Sequence, residues 1–332
     1  MKYYFTTEKI VNFNAGTKAI NDTNQILEKN GYTPLNLGTL RGNPHSIIGK
    51  IYKTIIEIYH LFILFHKSSS QDIFFLQWPL YHIISNKIVY RIIKYRCKHL
   101  QILIHDINSL RGYSEQEQME YLYFSLAELI IVHTNRMKLF LIKEGIPEYK
   151  IKILSSFDYL TSDPINLNRE KNNIIVYAGN LIKSPFLQYI NESQELTINC
   201  YGKEMPYTSP CLNYKGAFKS ENVSVLEGSW GLVWDGISIN SCTGEYGDYL
   251  QYNAPHKLSL YIAAGLPIVI WEKSGLAEYI VNKNLGITIN SISELASAIS
   301  NISTEEYINI LTNIENESKD IRQGKHLLKC IF

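Results

Sequence analysis

Short apolar runs alternate along the chain with longer segments whose apolar residues recur at helical spacing. The runs of the first half have the β-branched and aromatic character of buried strands, and they are "KYYFTT", "TPLNLG", "DIFFLQWP", "LQILIHD" and "LIIVHT". The periodic segments predict helices near 17–30, over 46–67 and over 81–97. Strands and helices in alternation are typical of parallel sheets with crossover helices, and ligands bind such sheets beyond the carboxyl ends of the strands.

The pattern is interrupted by the polar segment "SSFDYLTSDPINLNREKNN", which contains Pro164 and is typical of a linker. It then restarts, and the later predicted elements are strands at 174–180, 196–202 and 230–236, a helix over 257–264, the strand "LPIVIW", a helix near 274–283, the strand "LGITI" and two terminal helices. We therefore expect an α/β protein with two doubly wound, Rossmann-like domains that face a cleft. The predicted domains are 1–155 and 156–318, and the helix of 319–332 is a candidate to pack back on the first domain.

Composition changes this picture only in its charge distribution. The 332 residues are 45% hydrophobic and 19% charged, which is ordinary for a globular protein long enough to hold two cores. Residues 1–155 hold 19 Lys and Arg against 12 Asp and Glu, whereas the rest is acidic and the whole chain has a net charge of +1. A basic front half favours an anionic partner. Nucleic acid is a poor candidate, because the basic residues are dispersed and no binding motif accompanies them.

Cysteine usage and apolar run length indicate a cytoplasmic protein. The five cysteines form no CxxC pair, and "MKYYFTTEKI" has no signal-peptide character. The longest apolar run, residues 51–67, is interrupted by Lys53, Glu57 and His60 and does not predict a membrane span. The helices at 46–67 and 81–97 leave two interpretations open. They rest on the anionic inner face of the membrane as a peripheral contact, or their apolar faces belong to the core.

The stretch "YNAPHKLSLYIAAGLPIVIW" (252–271) places His256 and Lys257 in the first turn of a helix, with Asn253 as a plausible N-cap. Cations are unfavourable at a helix N-terminus, so an anion is expected nearby. The strands before this helix end in glycine or polar turns, which hold Gly179, Asn180, Lys183, Gly202, Lys203, Asp235 and Gly236. Convergence of these turns on one sheet edge favours a bound diphosphate. The alternative is that Lys257 is solvated and His256 packs locally.

Three other segments contain candidate site residues. In "ILIHDINSLRG" (102–112) a strand delivers Asp106, which has the chemistry of a general base, although a cap is the alternative role. Gly16 and Thr17 in the loop 12–22 allow close approach of a ligand, or simply cap a helix. The segment "TGEYGDYLQYN" (243–253) covers a nucleotide sugar or is a flexible surface loop. No metal-binding motif is visible.

Several segments in order along nearly the whole chain carry a family resemblance, and they are "IHDINSLRG", "VYAGNL", "LVWDG", "GDYLQYNAPHKLSLY" and "GLPIVIW". On these the sequence resembles bacterial GT-B glycosyltransferases, and most closely the β-1,6-galactofuranosyltransferases of O-antigen and capsule synthesis. It is similar, more distantly, to the third glucosyltransferase of streptococcal adhesin glycosylation. The resemblance implies a UDP-sugar substrate, no cofactor and no metal.

The resemblance and the strand-end turns together define the expected site. Asp106 is the first choice for the catalytic base, with Asp235, Asp248 and Glu245 as rivals, and His105 and Arg111 lie on the acceptor side. The residues expected to bind the UDP-sugar are Asn12, Gly16, Thr17, Gly179, Asn180, Lys183, Tyr201, Gly202, Lys203, Asp235, Asp248, Pro255, His256, Lys257, Leu258, Ser259 and Leu260.

The expected activity is inverting, metal-independent transfer of a hexosyl group, with galactofuranose favoured, from UDP to a hydroxyl of a lipid-linked glycan. Three alternatives stay open. They are a UDP-glucose- or UDP-GlcNAc-dependent transferase that acts on a glycoprotein, a protein like the nucleotide-sugar 2-epimerases, and a non-catalytic partner subunit. The oligomeric state also stays open, with a homo-oligomer among the candidates.

Overall fold

The computed structural model describes residues 1–7, 15–38, 46–79, 86–112 and 117–332. Within these residues the chain forms two α/β units. The first is built from the described parts of Met1–Asn12, Ile20–His133 and Lys138–Ile153, and the second from those of Phe13–Ala19, Thr134–Met137 and Leu154–Phe332. Residues 319–332 therefore belong to the second unit.

The first unit is a parallel sheet with crossover helices. Its elements are β1 (Lys2–Thr7), α1 (Ala15–Lys29), β2 (Thr33–Gly38), α2 (Ile47–Lys67), β3 (Ile73–Trp78), α3 (Asn86–Arg96), β4 (His99–Ile104), α4 (Glu117–Leu126), β5 (Leu129–Val132), α5 (Asn135–Lys143) and β6 (Ile151–Ile153). The strands are ordered β2-β1-β3-β4-β5-β6 and all pairs are parallel. This is the flavodoxin-like variant of the doubly wound arrangement, with one strand added at the end.

The second unit repeats the alternation. Its elements are β7 (Ile174–Ala178), β8 (Thr197–Tyr201), β9 (Leu212–Gly216), β10 (Trp230–Val233), α6 (Glu245–Tyr249), α7 (His256–Ala263), β11 (Ile268–Trp271), α8 (Ala277–Asn282), β12 (Gly286–Ile289), α9 (Leu295–Asn301), α10 (Thr304–Arg322) and α11 (Lys325–Ile331). The parallel order β12-β11-β10-β7-β8-β9 is that of a Rossmann sheet. Strand order reverses between β7 and β10, and such a switch point is where doubly wound sheets bind ligands.

Close packing of α7 on the sheet fixes the geometry of this switch point. A Cβ on Gly231 of β10 would lie 2.5 Å from the Tyr261 ring of α7, so glycine is required for the helix to come this near. The Tyr261 hydroxyl accepts a hydrogen bond from the backbone N–H of Ala178, 2.8 Å away at the end of β7. The first turn of α7 is thereby held against the ends of β7 and β10.

The main strands and helices expected from the pattern are present, with local differences. Strands β6 and β9 were not predicted, because β6 has three residues and β9 ("LNYKG") is a mostly polar edge strand without an apolar run. Helix α7 begins at His256 with Pro255 as its N-cap, so the N-cap predicted at Asn253 was wrong. Helix α3 begins at Asn86, and residues 80–85 lie outside the described part of the chain. No helix in the described ranges combines the length and hydropathy needed to cross a bilayer.

Candidate functional site

Lys257, the second residue of α7, is held by the ends of two strands. Its Nζ donates to the Asp235 carboxylate at 2.7 Å, to the Tyr177 hydroxyl at 3.0 Å and to the Trp234 carbonyl at 3.1 Å. A lysine ammonium has three donors, so these partners satisfy all of them. Only 12% of the Lys257 side chain is exposed. The anion expected beside this first-turn cation is therefore present within the chain, and it is Asp235.

Tyr177 of β7 connects the groups around Lys257. Its buried hydroxyl lies 2.7 Å from the Ser184 hydroxyl and donates to the Trp234 carbonyl at 3.2 Å. Burial, together with the charge of Asp235, raises the pKa of Tyr177 well above its ordinary value, so the phenol stays protonated at neutral pH. The hydroxyl links the turn after β7 to the turn after β10 and keeps both close to α7.

His256, the other expected first-turn cation, is neutral at physiological pH. Its ring packs against Tyr159, with ring centroids 5.1 Å apart, and against Phe157 at 6.0 Å. Burial of the ring lowers the pKa of His256 to about 3, although part of the residue remains in contact with solvent. No side chain caps α7, and Pro255 contributes only a backbone carbonyl. The N-terminus of α7 thus keeps its partial positive charge without the repulsion of two uncompensated cations.

The turns after β7 and β8 fit against each other through glycine. A Cβ on Gly202 would lie 2.5 Å from the Gly179 carbonyl oxygen and 2.8 Å from Leu181 Cγ, so a side chain at this position would push the turns apart. The turn after β7 continues into a short 3-10 helix, Leu181–Lys183, whose N-cap Asn180 accepts from the Lys183 N–H. Lys183 is exposed, and its ammonium donates to the Tyr246 hydroxyl at 3.0 Å and lies 4.8 Å from that ring's centroid.

The other residues expected to bind the donor occupy different environments. The side chains of Tyr201, Leu258, Ser259 and Leu260 are buried, which leaves mainly their backbone groups for ligand contacts. Lys203 and Asp248 are exposed, and Gly16 and Thr17 lie in the first turn of α1. Asn12 lies outside the described residues.

In the first unit, β4 delivers His105 and Asp106 to the carboxyl edge of the sheet. His105 Nε2 lies 2.7 Å from Gln77 Oε1 at the end of β3, which fixes the ring. The Asp106 carboxylate pairs with Arg111, with Nη1 and Oδ2 3.1 Å apart, and one third of the Asp106 side chain is exposed. Arg111 orients the carboxylate, and the exposed part leaves it accessible to another molecule. The three residues expected on the acceptor side or as base are thus neighbours.

Among the described residues, no three histidine, cysteine, aspartate or glutamate side chains are grouped closely enough to hold a metal ion. The buried Asp235–Lys257 pair and the exposed Lys183 are instead the charged groups at the switch point of the second sheet.

Two family models cover the two halves of the chain. The model described as "Glucosyltransferase 3-like, N-terminal domain" matches residues 2–155, and the corresponding C-terminal domain matches residues 175–332. The chain belongs to the glucosyltransferase 3-like family.

Curated relatives of this glucosyltransferase 3-like protein are glycosyltransferases. It is 32% identical over 256 residues to the β-1,6-galactofuranosyltransferase WbbI of Escherichia coli K12, which covers 75% of this chain and 73% of that one. It is 26% identical over 234 residues to glucosyltransferase 3 of Streptococcus gordonii, with 69% of this chain and 68% of that one covered. The protein is therefore a glycosyltransferase.

Solved structures establish the same fold for this glucosyltransferase 3-like chain. The lipopolysaccharide outer core galactosyltransferase WaaB matches 100% of this chain and 99% of its own, with a TM-score of 0.61 and 12% identity. Anabaena HepE, solved in complex with UDP and glucose, matches 99% of this chain and 98% of its own, with a TM-score of 0.57 and 12% identity. The predicted GT-B fold is confirmed.

Sequence reasoning missed several polar residues of this glucosyltransferase 3-like chain. Glu120 of α4 is fully buried and accepts from the backbone N–H groups of Asn108 and Ser109, at 2.8 and 3.0 Å, and from Trp78 Nε1 at 3.2 Å. It thereby fixes the loop that holds Asp106. A lone acid in the apolar run "MEYLYF" was the available signal, because an acid among buried residues is usually hydrogen-bonded. Tyr177 had no such signal, since tyrosine is common in strands.

Proposed function

We propose that this protein transfers galactofuranose from UDP-galactofuranose to a hydroxyl of a lipid-linked glycan, with inversion at the anomeric carbon and without a metal. The identity of 32% to WbbI over three quarters of the chain supports this donor and carries the proposal. The family model and the Streptococcus gordonii relative favour a second candidate, transfer of glucose from UDP-glucose.

In the proposed reaction the acceptor hydroxyl attacks the anomeric carbon and Asp106 takes its proton. The bond from that carbon to the diphosphate oxygen breaks, and UDP leaves with the electron pair. Exposed Lys183 donates to the diphosphate, and the uncapped N-terminus of α7 faces the same charge with its backbone N–H groups. Lys257, fixed by Asp235 and Tyr177, adds a preorganised positive end to the same region.

Release of UDP separates this proposal from other classes of activity. Wild-type protein is incubated with UDP-galactofuranose, alone and with a lipid-linked glycan fraction extracted from bacterial membranes, and free UDP is measured. The proposal expects acceptor-dependent release. Equal release without acceptor indicates hydrolysis or epimerisation of the donor, and no release under either condition indicates a non-catalytic subunit.

Substitution of Lys183→Ala is expected to weaken UDP binding roughly tenfold, because one charge-assisted hydrogen bond to phosphate is lost. The exposed position of Lys183 predicts an unchanged melting temperature. Calorimetry with UDP measures the affinity. Lys219→Ala removes an equally charged, exposed side chain of the same unit and serves as the control. Equal affinities for the two variants would remove Lys183 from the donor site.

Activity is expected to persist in excess EDTA, because Lys183 and the α7 N-terminus are proposed to stabilise the leaving diphosphate. The measurement is the initial rate of UDP release before and after chelation. Loss of turnover that returns when Mg²⁺ or Mn²⁺ is added would show that a divalent ion takes part.

A further inference from the structure

Helix α2 carries a continuous apolar stripe on its outward side. The stripe residues are Ile47, Ile48, Ile51, Tyr52, Ile55, Ile58, Tyr59 and Phe62, and their exposed fractions run from 51% to 81%. The opposite side of the helix holds buried Leu61 and Leu64, and α2 packs on β2 of the first unit. Of the two interpretations of this helix, burial of its apolar residues in the core is therefore wrong for the outward side.

The stripe is larger than a monomer usually exposes. With roughly 150–250 Å² for an aromatic side chain and somewhat less for isoleucine, the eight residues leave on the order of 1,000 Å² in contact with water. The largest apolar patch of a typical monomer is about 300–600 Å². A standard protein interface buries about 800 Å² on each partner, so the stripe alone has the area that a stable dimer needs.

The spacing of the stripe is that of a helix-pairing seam. Residues 48, 52, 55, 59 and 62 follow one another at intervals of four, three, four and three, which is a heptad repeat. Ile55 lies at the centre of this series, so a twofold axis through the seam brings Ile55 close to its own copy whether the two helices run parallel or antiparallel.

Charge favours a second copy over a membrane surface. None of the eight stripe positions holds Lys, Arg, Asp or Glu, so two copies bring no like charges together at the seam. Helices that bind anionic membranes gain affinity from Lys and Arg beside their apolar face. The stripe offers lipid phosphates no cation of its own.

We propose that two copies of this chain associate through the outward stripe of α2, with Ile55 at the centre of a twofold interface. Sedimentation velocity of the full chain is expected to give twice the 38.3 kDa mass of one chain. Ile55→Glu places two carboxylates at the centre of an apolar seam and is expected to weaken association by roughly tenfold or more. Ile308→Glu is the matched control, because Ile308 on α10 is 56% exposed against 61% for Ile55.

Cross-linking tests the geometry without adding a charge. The five native cysteines are all buried, so Ile55→Cys introduces the accessible thiol. Oxidation is expected to convert Ile55→Cys to a covalent dimer and to leave Ile308→Cys as single chains. Single-chain mass for the wild type across a wide range of concentrations overturns the proposal. A covalent dimer that is no more abundant at position 55 than at 308 also overturns it, as does a monomer that floats with phosphatidylglycerol vesicles through the stripe.

Discussion

Asp106→Asn is expected to lower kcat by roughly 10²–10⁴, because asparagine keeps the shape of the side chain but cannot accept the proton of the acceptor hydroxyl. UDP affinity is expected to stay near the wild-type value, since Asp106 belongs to the first unit and the residues proposed to bind diphosphate belong to the second. Turnover and melting temperature are measured on the same preparation, so that kcat refers to folded protein.

The ion pair with Arg111 provides the control for this experiment. Arg111→Gln removes the partner of Asp106 but keeps the carboxylate, so its kcat is expected to fall less than that of Asp106→Asn. If both variants lose the same activity, the carboxylate serves mainly to hold Arg111. A less stable but fully active Asp106→Asn would exclude Asp106 as the base and leave Asp235, Asp248 and Glu245 as candidates.

Lys257→Ala is expected to destabilise the fold by about 3 kcal/mol, because it leaves the largely buried carboxylate of Asp235 without its cation. It is also expected to weaken UDP binding, since the turn after β10 and the first turn of α7 lose the group that joins them. Chemical denaturation and calorimetry with UDP measure the two effects.

A paired substitution separates the structural role of Lys257 from its role in binding. Asp235→Asn combined with Lys257→Met removes both charges and keeps similar side-chain volumes, so stability is expected to return towards the wild type. UDP affinity is expected to remain low if the positive charge of Lys257 acts on the diphosphate. Recovery of both quantities would show that Lys257 only holds the turns together.

The pattern of apolar residues predicted the alternation of strands and helices because buried parallel strands and amphipathic helices have strong periodic signals. It therefore located the segments that hold Lys183, Asp235 and Lys257 at the carboxyl edge of the second sheet. The pairing of Asp235 with Lys257 could not be predicted, because the two residues are 22 positions apart and meet only through the strand order at the switch point. The expected anion beside Lys257 was thus assigned to a ligand, whereas the chain itself supplies a carboxylate.

Other features lay beyond the pattern for different physical reasons. The neutrality of His256 depends on packing against Tyr159 and Phe157, nearly one hundred positions earlier in the chain. The role of Glu120 depends on three donors that follow β3 and β4. The outward stripe of α2 was visible as an apolar helix, but sequence alone does not show which side of a helix a domain covers.

The identity of the donor sugar tests the central claim most directly. Mass spectrometry of the products from separate reactions with UDP-galactofuranose, UDP-galactopyranose, UDP-glucose and UDP-GlcNAc, each with the same lipid-linked glycan fraction, shows which sugar is transferred. The proposed function predicts that the glycan gains one hexose with UDP-galactofuranose and little or none with the other three. A hexose gained mainly from UDP-glucose, or an N-acetylhexosamine gained from UDP-GlcNAc, would contradict the proposed donor.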